Sequence, residues 1–276
     1  KAPLTITAQT NTKTYDGNTS AAATPTYAGL QPGDTVTDLI EAYTDKNAGT
    51  NKTLAVTGFS VNDGNSGNNY NVTTASDATG VINKAPLTIT AQTNTKTYDG
   101  NTSAAATPTY SGLQPGDTVT DLTEAYTDKN AGTNKTLAVT GFSVNDGNSG
   151  NNYDVTTASD ATGEINKAPL TITAQTNTKT YDGNTSASAR PTYAGLQPGD
   201  TVTDLIEVYT DKNAGTNKTL AVTGFSVNDG NSGNNYNVTT ASDATGVINK
   251  APLTITAQTN TKTYDGNTSA AATPTY

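Results

Sequence analysis

Residues 1–21 read KAPLTITAQTNTKTYDGNTSA, and the same string starts again at Lys84, at Lys167 and at Lys250. Successive starts lie 83 positions apart, so the chain holds three full copies and, at 250–276, the opening of a fourth. Repetition at a fixed period decides the architecture before any single motif does. Only seven of the 83 positions vary among the full copies: Ala22/Ala105/Ser188, Thr24/Thr107/Arg190, Ala28/Ser111/Ala194, Ile40/Thr123/Ile206, Ala42/Ala125/Val208, Asn71/Asp154/Asn237 and Val81/Glu164/Val247. A unit of this length exceeds the roughly 20–45 residues of one solenoid repeat and is long enough for a small core of its own. Beads on a string are therefore expected rather than a solenoid, with domains at 1–83, 84–166 and 167–249 and a partial copy, its first strands, at 250–276. The alternative phasing, with 1–27 standing before units that begin at Ala28, Ser111 and Ala194, fits the length equally well.

Each unit reads as all-β. Leu4 and Ile6 alternate with Thr5 and Thr7, the period-2 pattern of a strand with one face inward. Further strands are expected at 12–15, 19–23, 35–40, 42–45, 52–61, 70–74 and 79–83, where Thr, Val, Ile and Tyr favour a pleated surface. In 52–61 the apolar parity slips between Val56 and Phe59, so a bulge at Gly58 is expected to turn the chain back inward. Asp16-Gly17 and Asp63-Gly64 read as hairpin turns, and Gln31-Pro32-Gly33-Asp34 as a type II turn. The expected core is Leu4, Ile6, Tyr15, Tyr27, Leu30, Val36, Leu39, Tyr43, Leu54, Val56, Phe59, Val61, Tyr70, Val72 and Ile82. The varying positions orient side chains: Val81 becomes Glu164, Asn71 becomes Asp154 and Thr24 becomes Arg190, which marks all three as outward, and Ile40, replaced by Thr123, as peripheral. Between copies only 83–86 serves as a linker, and Pro86 stiffens it. The expected fold is thus tandem small β domains, sandwich- or grasp-like, arranged end to end as an elongated rod. At a compact diameter of roughly 30 Å each, three would exceed about 90 Å.

Composition removes whole classes of function. There is no Cys, Met, Trp or His, so disulfides, thiolate metal sites, thiol nucleophiles and the commonest general base are excluded. A net charge of -9 with a single Arg offers no footprint for nucleic acid. No apolar run is long enough to span a membrane, and a start at Lys1 without an initiator Met suggests a piece of a longer chain.

The run Lys13-Thr14-Tyr15-Asp16-Gly17-Asn18-Thr19 is followed by Gly29-Leu30, Gly33-Asp34, Tyr43, Asp45-Lys46-Asn47-Ala48-Gly49-Thr50 and Asn69-Tyr70. This ordered set resembles the YDG domain of large bacterial surface adhesins, and residues 2–8 are similar to the strand that precedes YDG and the related MBG repeats. The resemblance covers each copy nearly end to end. It implies an exported, cell-surface filamentous protein in which tandem β domains form a stalk, and it brings no catalytic residue to carry over.

Candidate sites are few. Tyr15-Asp16-Gly17 is read as a plain turn before a recognition loop. Residues 63–69, DGNSGNN, offer oxygen ligands but one carboxylate, short of a calcium site, and are read as a solvated hairpin loop. Asp34, Asp38 and Glu41 are read as surface charge. A Lys–Asn cross-link using Lys1, Lys13, Lys46 or Lys52 would need a buried acid, and Glu41, beside the variable positions 40 and 42, is expected to be shallow. Asn18, Asn51 and Asn71 match the glycosylation pattern, but in a chain this rich in Asn and Thr such matches carry no weight. No catalytic, cofactor-binding or metal-binding residue is assigned, and no cofactor is expected. The expected role is a non-catalytic stalk or spacer at the bacterial cell surface, with neighbouring repeats as partners. The alternative is a repeated weak-affinity module for host glycan or matrix, or for like-to-like cell contact. Nucleic acid and membrane insertion are not expected of this segment.

Overall fold

Strand β1 (Ala2–Thr7) buries Leu4 and Ile6 completely and leaves the intervening Thr5 outward, as its alternation dictates. In the computed structural model, which describes residues 1–276, six further strands complete the first copy. They are β2 (Thr12–Thr14), β3 (Thr26–Ala28), β4 (Thr35–Tyr43), β5 (Gly49–Asn62), β6 (Tyr70–Ala75) and β7 (Asp77–Asn83). Two sheets result, in the orders β3-β1-β6 and β2-β7-β5-β4. β1 runs antiparallel to β3 and parallel to β6, while β2 lies parallel to β7, and β5 antiparallel to both β7 and β4. The sheets pack through Leu4, Ile6, Val36 and Tyr70, with Val56, Val61 and Val72 at the margin. The fold is all-β, and the copies β8–β14 and β15–β21 repeat both strand orders.

Successive strands switch sheets at almost every connection, which corrects the turn assignments. Residues 63–69 join β5 to β6, and these lie in different sheets, so the loop is a crossover and not a hairpin. Asp16-Gly17 likewise leaves β2 for the opposite sheet. The Gln31–Asp34 turn forms as expected: Asp34 N–H donates to the Gln31 carbonyl at 3.2 Å, and Gly33 takes φ 97°, which a type II turn demands of its third residue. Residues 19–23 form no strand, only a bridge from Ser20 to Ala42. The expected 42–45 strand merges into β4, and β3 has no counterpart among the expected strands.

Two bulges offset each other between β4 and β5. One extra residue on β4 falls between Thr37 and Ile40, where Asp38 takes φ 56°, and one on β5 falls between Val56 and Gly58. The slip at Gly58 turns Val61 inward but leaves Phe59 exposed. Tyr27, opposite Ile6 on the short edge strand β3, is exposed as well. Neither therefore belongs to the core that alternation alone assigns them to. The largest correction concerns Glu41, which is buried rather than shallow. Its Oε2 accepts the Gln9 N–H at 2.7 Å, tying β4 of one sheet to the end of β1 in the other, while Oε1 has no partner.

By contact the chain divides into two compact units: Lys1–Lys96 with Asn101–Ile165, and Thr97–Gly100 with Asn166–Tyr276. The first contains two copies, and a single apolar cluster runs through both of them. Tyr15, Tyr43, Leu54 and Ile82 of the first copy join Ala85, Leu87, Ile89, Val119 and Tyr153 of the second. The copies are tandem β domains, and the cores of the first two meet. The expected linker at 83–86 shrinks to Lys84 alone, since β7 ends at Asn83 and β8 (Ala85–Thr90) begins with a fully buried Ala85. β8 pairs with β10 (Thr109–Ser111) and β13 (Tyr153–Ala158), both in the second copy. In the second unit, residues 250–276 form no strand, only a bridge between Thr256 and Thr275.

Candidate functional site: the joint between copies

The Tyr-Asp-Gly turn begins where β2 ends, and its three residues divide the work. Asp16 Oδ1 accepts Lys13 Nζ at 2.7 Å and the Asn18 N–H at 3.2 Å, which closes the turn. Gly17, at φ 83°, passes so close to the second copy that a Cβ there would lie 3.1 Å from the Pro115 carbonyl oxygen. Tyr15 is 1% exposed, and the apolar cluster it belongs to includes residues of the next copy. Its ring meets Tyr153 edge to face, centroids 5.5 Å apart at 76°.

The polar centre of the joint is Asp117. Its Oδ2 accepts Tyr15 Oη at 2.9 Å and Tyr153 Oη at 2.6 Å, and Lys46 Nζ lies 3.5 Å from Oδ1. The Tyr153 oxygen in turn accepts the Gln114 N–H at 2.8 Å. Burial, then the hydrogen bond to Asp117, pushes the Tyr153 hydroxyl well above the ordinary phenol range, so the group stays a donor. Tyr15 is raised too, by burial first, with Lys46 opposing and Asp117 adding to the shift. Lys46 also sits 5.6 Å from the centroid of the Tyr15 ring. A carboxylate buried in this way is tolerable because two hydroxyls and an ammonium surround it.

A second set of bonds involves the counterpart of the 63–69 loop, which is read from the sequence as a solvated hairpin loop. Asn152 is fully buried; its Oδ1 accepts the Ala48 N–H at 2.8 Å and its Nδ2 donates to Asn47 Oδ1 at 3.3 Å. The Asn152 backbone is held by Asp146, whose carboxylate takes the N–H groups of Asn148, Gly150 and Asn152 at 2.7–3.0 Å. Burial works against that charge, but the three backbone donors outweigh it and hold the Asp146 pKa below the usual range. Its oxygens are already committed to shaping the loop, and no group of three acidic side chains gathers anywhere in the structure.

The second unit repeats the pattern. Tyr98 Oη donates to Asp200 Oδ2 at 2.9 Å and Tyr236 Oη to the same atom at 2.6 Å, with the two rings 5.4 Å apart at 78°. A Cβ on Gly100 would lie 3.2 Å from the Pro198 carbonyl oxygen. The sequence motif is therefore a turn and also half of a socket. Residues 1–79, 83–162 and 166–245 each match the model of the YDG domain. The chain belongs to the YDG domain family. No curated protein and no solved structure matches the chain.

Of the residues singled out in the sequence, the joint of this YDG array gathers Tyr15, Gly17 and Lys46, together with the counterparts of Asp34, residues 63–69 and Tyr70 in the next copy. It does not gather Asp38, which is exposed, or Glu41, which belongs to the inside of its own copy. Lys13 is bound to Asp16 and Asn18, Lys52 pairs with Asp45, and neither contacts Glu41. Reading Asp34 as surface charge and 63–69 as a solvated loop misses the part that their counterparts Asp117 and Asn152 play in the joint. Their signal is present all the same: Asp34 and Asn69 stand unchanged in every full copy, next to Gly33 and Tyr70.

Proposed function

We propose that this YDG array is a non-catalytic stalk or spacer at the bacterial cell surface, extending an adhesive domain that lies elsewhere in a longer protein. The observation that carries this reading is the joint. One residue separates the last strand of a copy from the first of the next, and a buried Tyr–Asp–Tyr cluster fixes their orientation. Such a joint resists bending because swinging it open would uncover Asp117 and two tyrosine hydroxyls without replacing all their partners. Reach is then additive, each copy contributing a fixed increment. An oxidant-resistant chain without Cys or Met and with a net charge of -9 suits an extracellular setting. Small-angle scattering on this chain and on one with an additional copy tests the proposal. The maximum dimension should grow by a constant step of about 30 Å or more, and an unchanged dimension would refute it.

A second reading is favoured by one repeated surface feature. Phe59, Ser60, Val61, Ser66, Gly67 and Val72 line an open groove, and it recurs around Phe142 and Phe225. An exposed ring flanked by hydroxyls suits weak stacking against a sugar, and three sites would add avidity. Glycan-array binding that is lost in the triple Phe→Ser variant would support this reading; equal signal from the variant would exclude it.

A further inference from the structure

The first and last segments of each copy run side by side in the same direction. In the first copy β1 pairs in parallel with β6, from Ala2 opposite Tyr70 to Thr7 opposite Ala75. β2 then pairs in parallel with β7, from Thr12 opposite Val81 to Thr14 opposite Asn83. The two segments stay joined where the chain passes from one sheet to the other. Ala8 N–H donates to the Ala75 carbonyl and Val81 N–H to the Asn11 carbonyl, both at 2.9 Å, and Thr10 Oγ1 donates to the Thr79 carbonyl at 3.3 Å. Tyr43 of β4 adds a stitch at the same place: its hydroxyl donates to the Asn11 carbonyl at 2.7 Å and lies 3.0 Å from the Val81 carbonyl. The ladder ends with Tyr15 N–H on the Asn83 carbonyl at 2.8 Å. The second copy repeats the arrangement, with β8 along β13, Ala91 N–H on Ala158, Glu164 N–H on Asn94, Tyr98 N–H on Asn166, and the Tyr126 hydroxyl 2.6 Å from the Asn94 carbonyl and 3.1 Å from that of Glu164.

We propose that each YDG copy is a tension-bearing clamp, in which pull along the chain is met by this parallel pair loaded in shear. The chain enters the second copy at Ala85, at the end of the ladder where it faces Tyr153, and leaves at Asn166, at the opposite end beside Tyr98. Drawing those two points apart slides one segment along the other, so the bonds between them share the load and none fails alone. A pair pulled from a single end would instead open one bond at a time. Resistance to force follows the unfolding barrier, not the equilibrium stability. A backbone hydrogen bond exchanged singly for water costs little, whereas several broken before water replaces any cost far more. Sliding would also drag Leu87 and Ile89, both fully buried, out of the core. The residues between the two segments, 99–152 in the second copy, lie off the load path and feel no tension until the ladder yields. The clamp rests on the stalk reading for its use, since a spacer that holds an adhesive domain is pulled, but its mechanics follow from the pairing alone.

Single-molecule force spectroscopy on the full chain tests the clamp. The chain has no Cys, so two introduced cysteines are the only points of attachment. K84C/K167C loads the second copy across its ladder, whereas K84C/N151C pulls the same folded copy from the one end where Ala85 faces Tyr153. Lys84, Asn151 and Lys167 are all exposed, so both variants should fold alike. At equal loading rate K84C/K167C should rupture at a force higher by about twofold or more, because its bonds fail together and not in turn. It should yield in one step of roughly 240 Å, the extended length of the released chain less that of the folded ladder. Adding Y126F, which keeps the ring and removes the hydroxyl, should lower the K84C/K167C force and leave the K84C/N151C force unchanged, since opening there begins at Ala85. Equal rupture forces in the two geometries overturn the proposal, as does release under K84C/K167C in several smaller steps. A Y126F loss of the same size in both geometries overturns the part given to Tyr126. Reach and resistance fail separately: a maximum dimension that grows with copy number beside equal rupture forces would keep the spacer and refute the clamp.

Discussion

Tyr15 and Tyr181 occupy equivalent positions in copies that differ at only three places, yet one is 1% exposed and the other 39%. Around Tyr15 lie Asp117 and Tyr153; the structure places no such pair on Tyr181. The receiving side shows the same contrast. Asn69 is exposed and Asn152 fully buried, although both sit in the same loop held by an equivalent aspartate. Identical local sequence thus has two environments, and the difference between them is the joint itself. The comparison isolates what a neighbour adds, because the turn, the strands and the aspartate-bound loop are present on both sides of it.

Tyr15→Ala against Tyr181→Ala gives the largest contrast. Emptying the buried site should cost about 3–5 kcal/mol, as for other buried aromatic truncations, and the exposed site under about 1 kcal/mol. Urea unfolding of the two variants measures it; equal losses would mean that the joint contributes nothing. Asp117→Ala against Asp34→Ala comes next. The first strands two tyrosine hydroxyls in a buried cluster and should cost about 2–3 kcal/mol; the second leaves only the Tyr70 hydroxyl and should cost less. Gly17→Ala and Gly183→Ala share φ of 83° and 84°, so both pay the left-handed penalty of about 1 kcal/mol. Gly17→Ala should cost roughly a further 1 kcal/mol, since only its methyl meets Pro115. A thermal shift that is the same for both would show that the joint yields.

The smallest effect concerns Glu41, away from the joint. Burial first, and then nearby Asp77, raise its pKa, with the Gln9 N–H pulling the other way. A raised carboxyl pKa means that the folded state holds the proton more tightly than the unfolded chain. Its contribution is then full below the unfolded pKa and lost as pH rises through the folded one. The melting temperature of the native chain relative to Glu41→Gln should therefore increase as pH falls from about 7 to about 4. A constant difference would show that Glu41 titrates normally.

Much of each copy is legible because local pattern and burial agree. The alternation of Leu4 and Ile6, the turn at Gly33, the slip at Gly58 and the outward positions 71 and 24 each follow from period-2 geometry or from a backbone angle that only some residues accept. Phe59 and Tyr27 mislead because alternation gives the direction of a side chain but not whether other residues cover it. Glu41 misleads because its burial depends on Gln9, 32 residues away in the other sheet.

The sequence by itself settled the period, the all-β class and the family, since these are written in residue order and in alternation along a strand. Only the tertiary structure decided that Tyr-Asp-Gly reaches into its neighbour and that the DGNSGNN loop is a socket. The 102 residues separating Tyr15 from Asp117 explain why. A hydrogen bond between groups so distant in the chain leaves no periodic trace in either, and its partners become recognisable only once both sheets of two copies are in place.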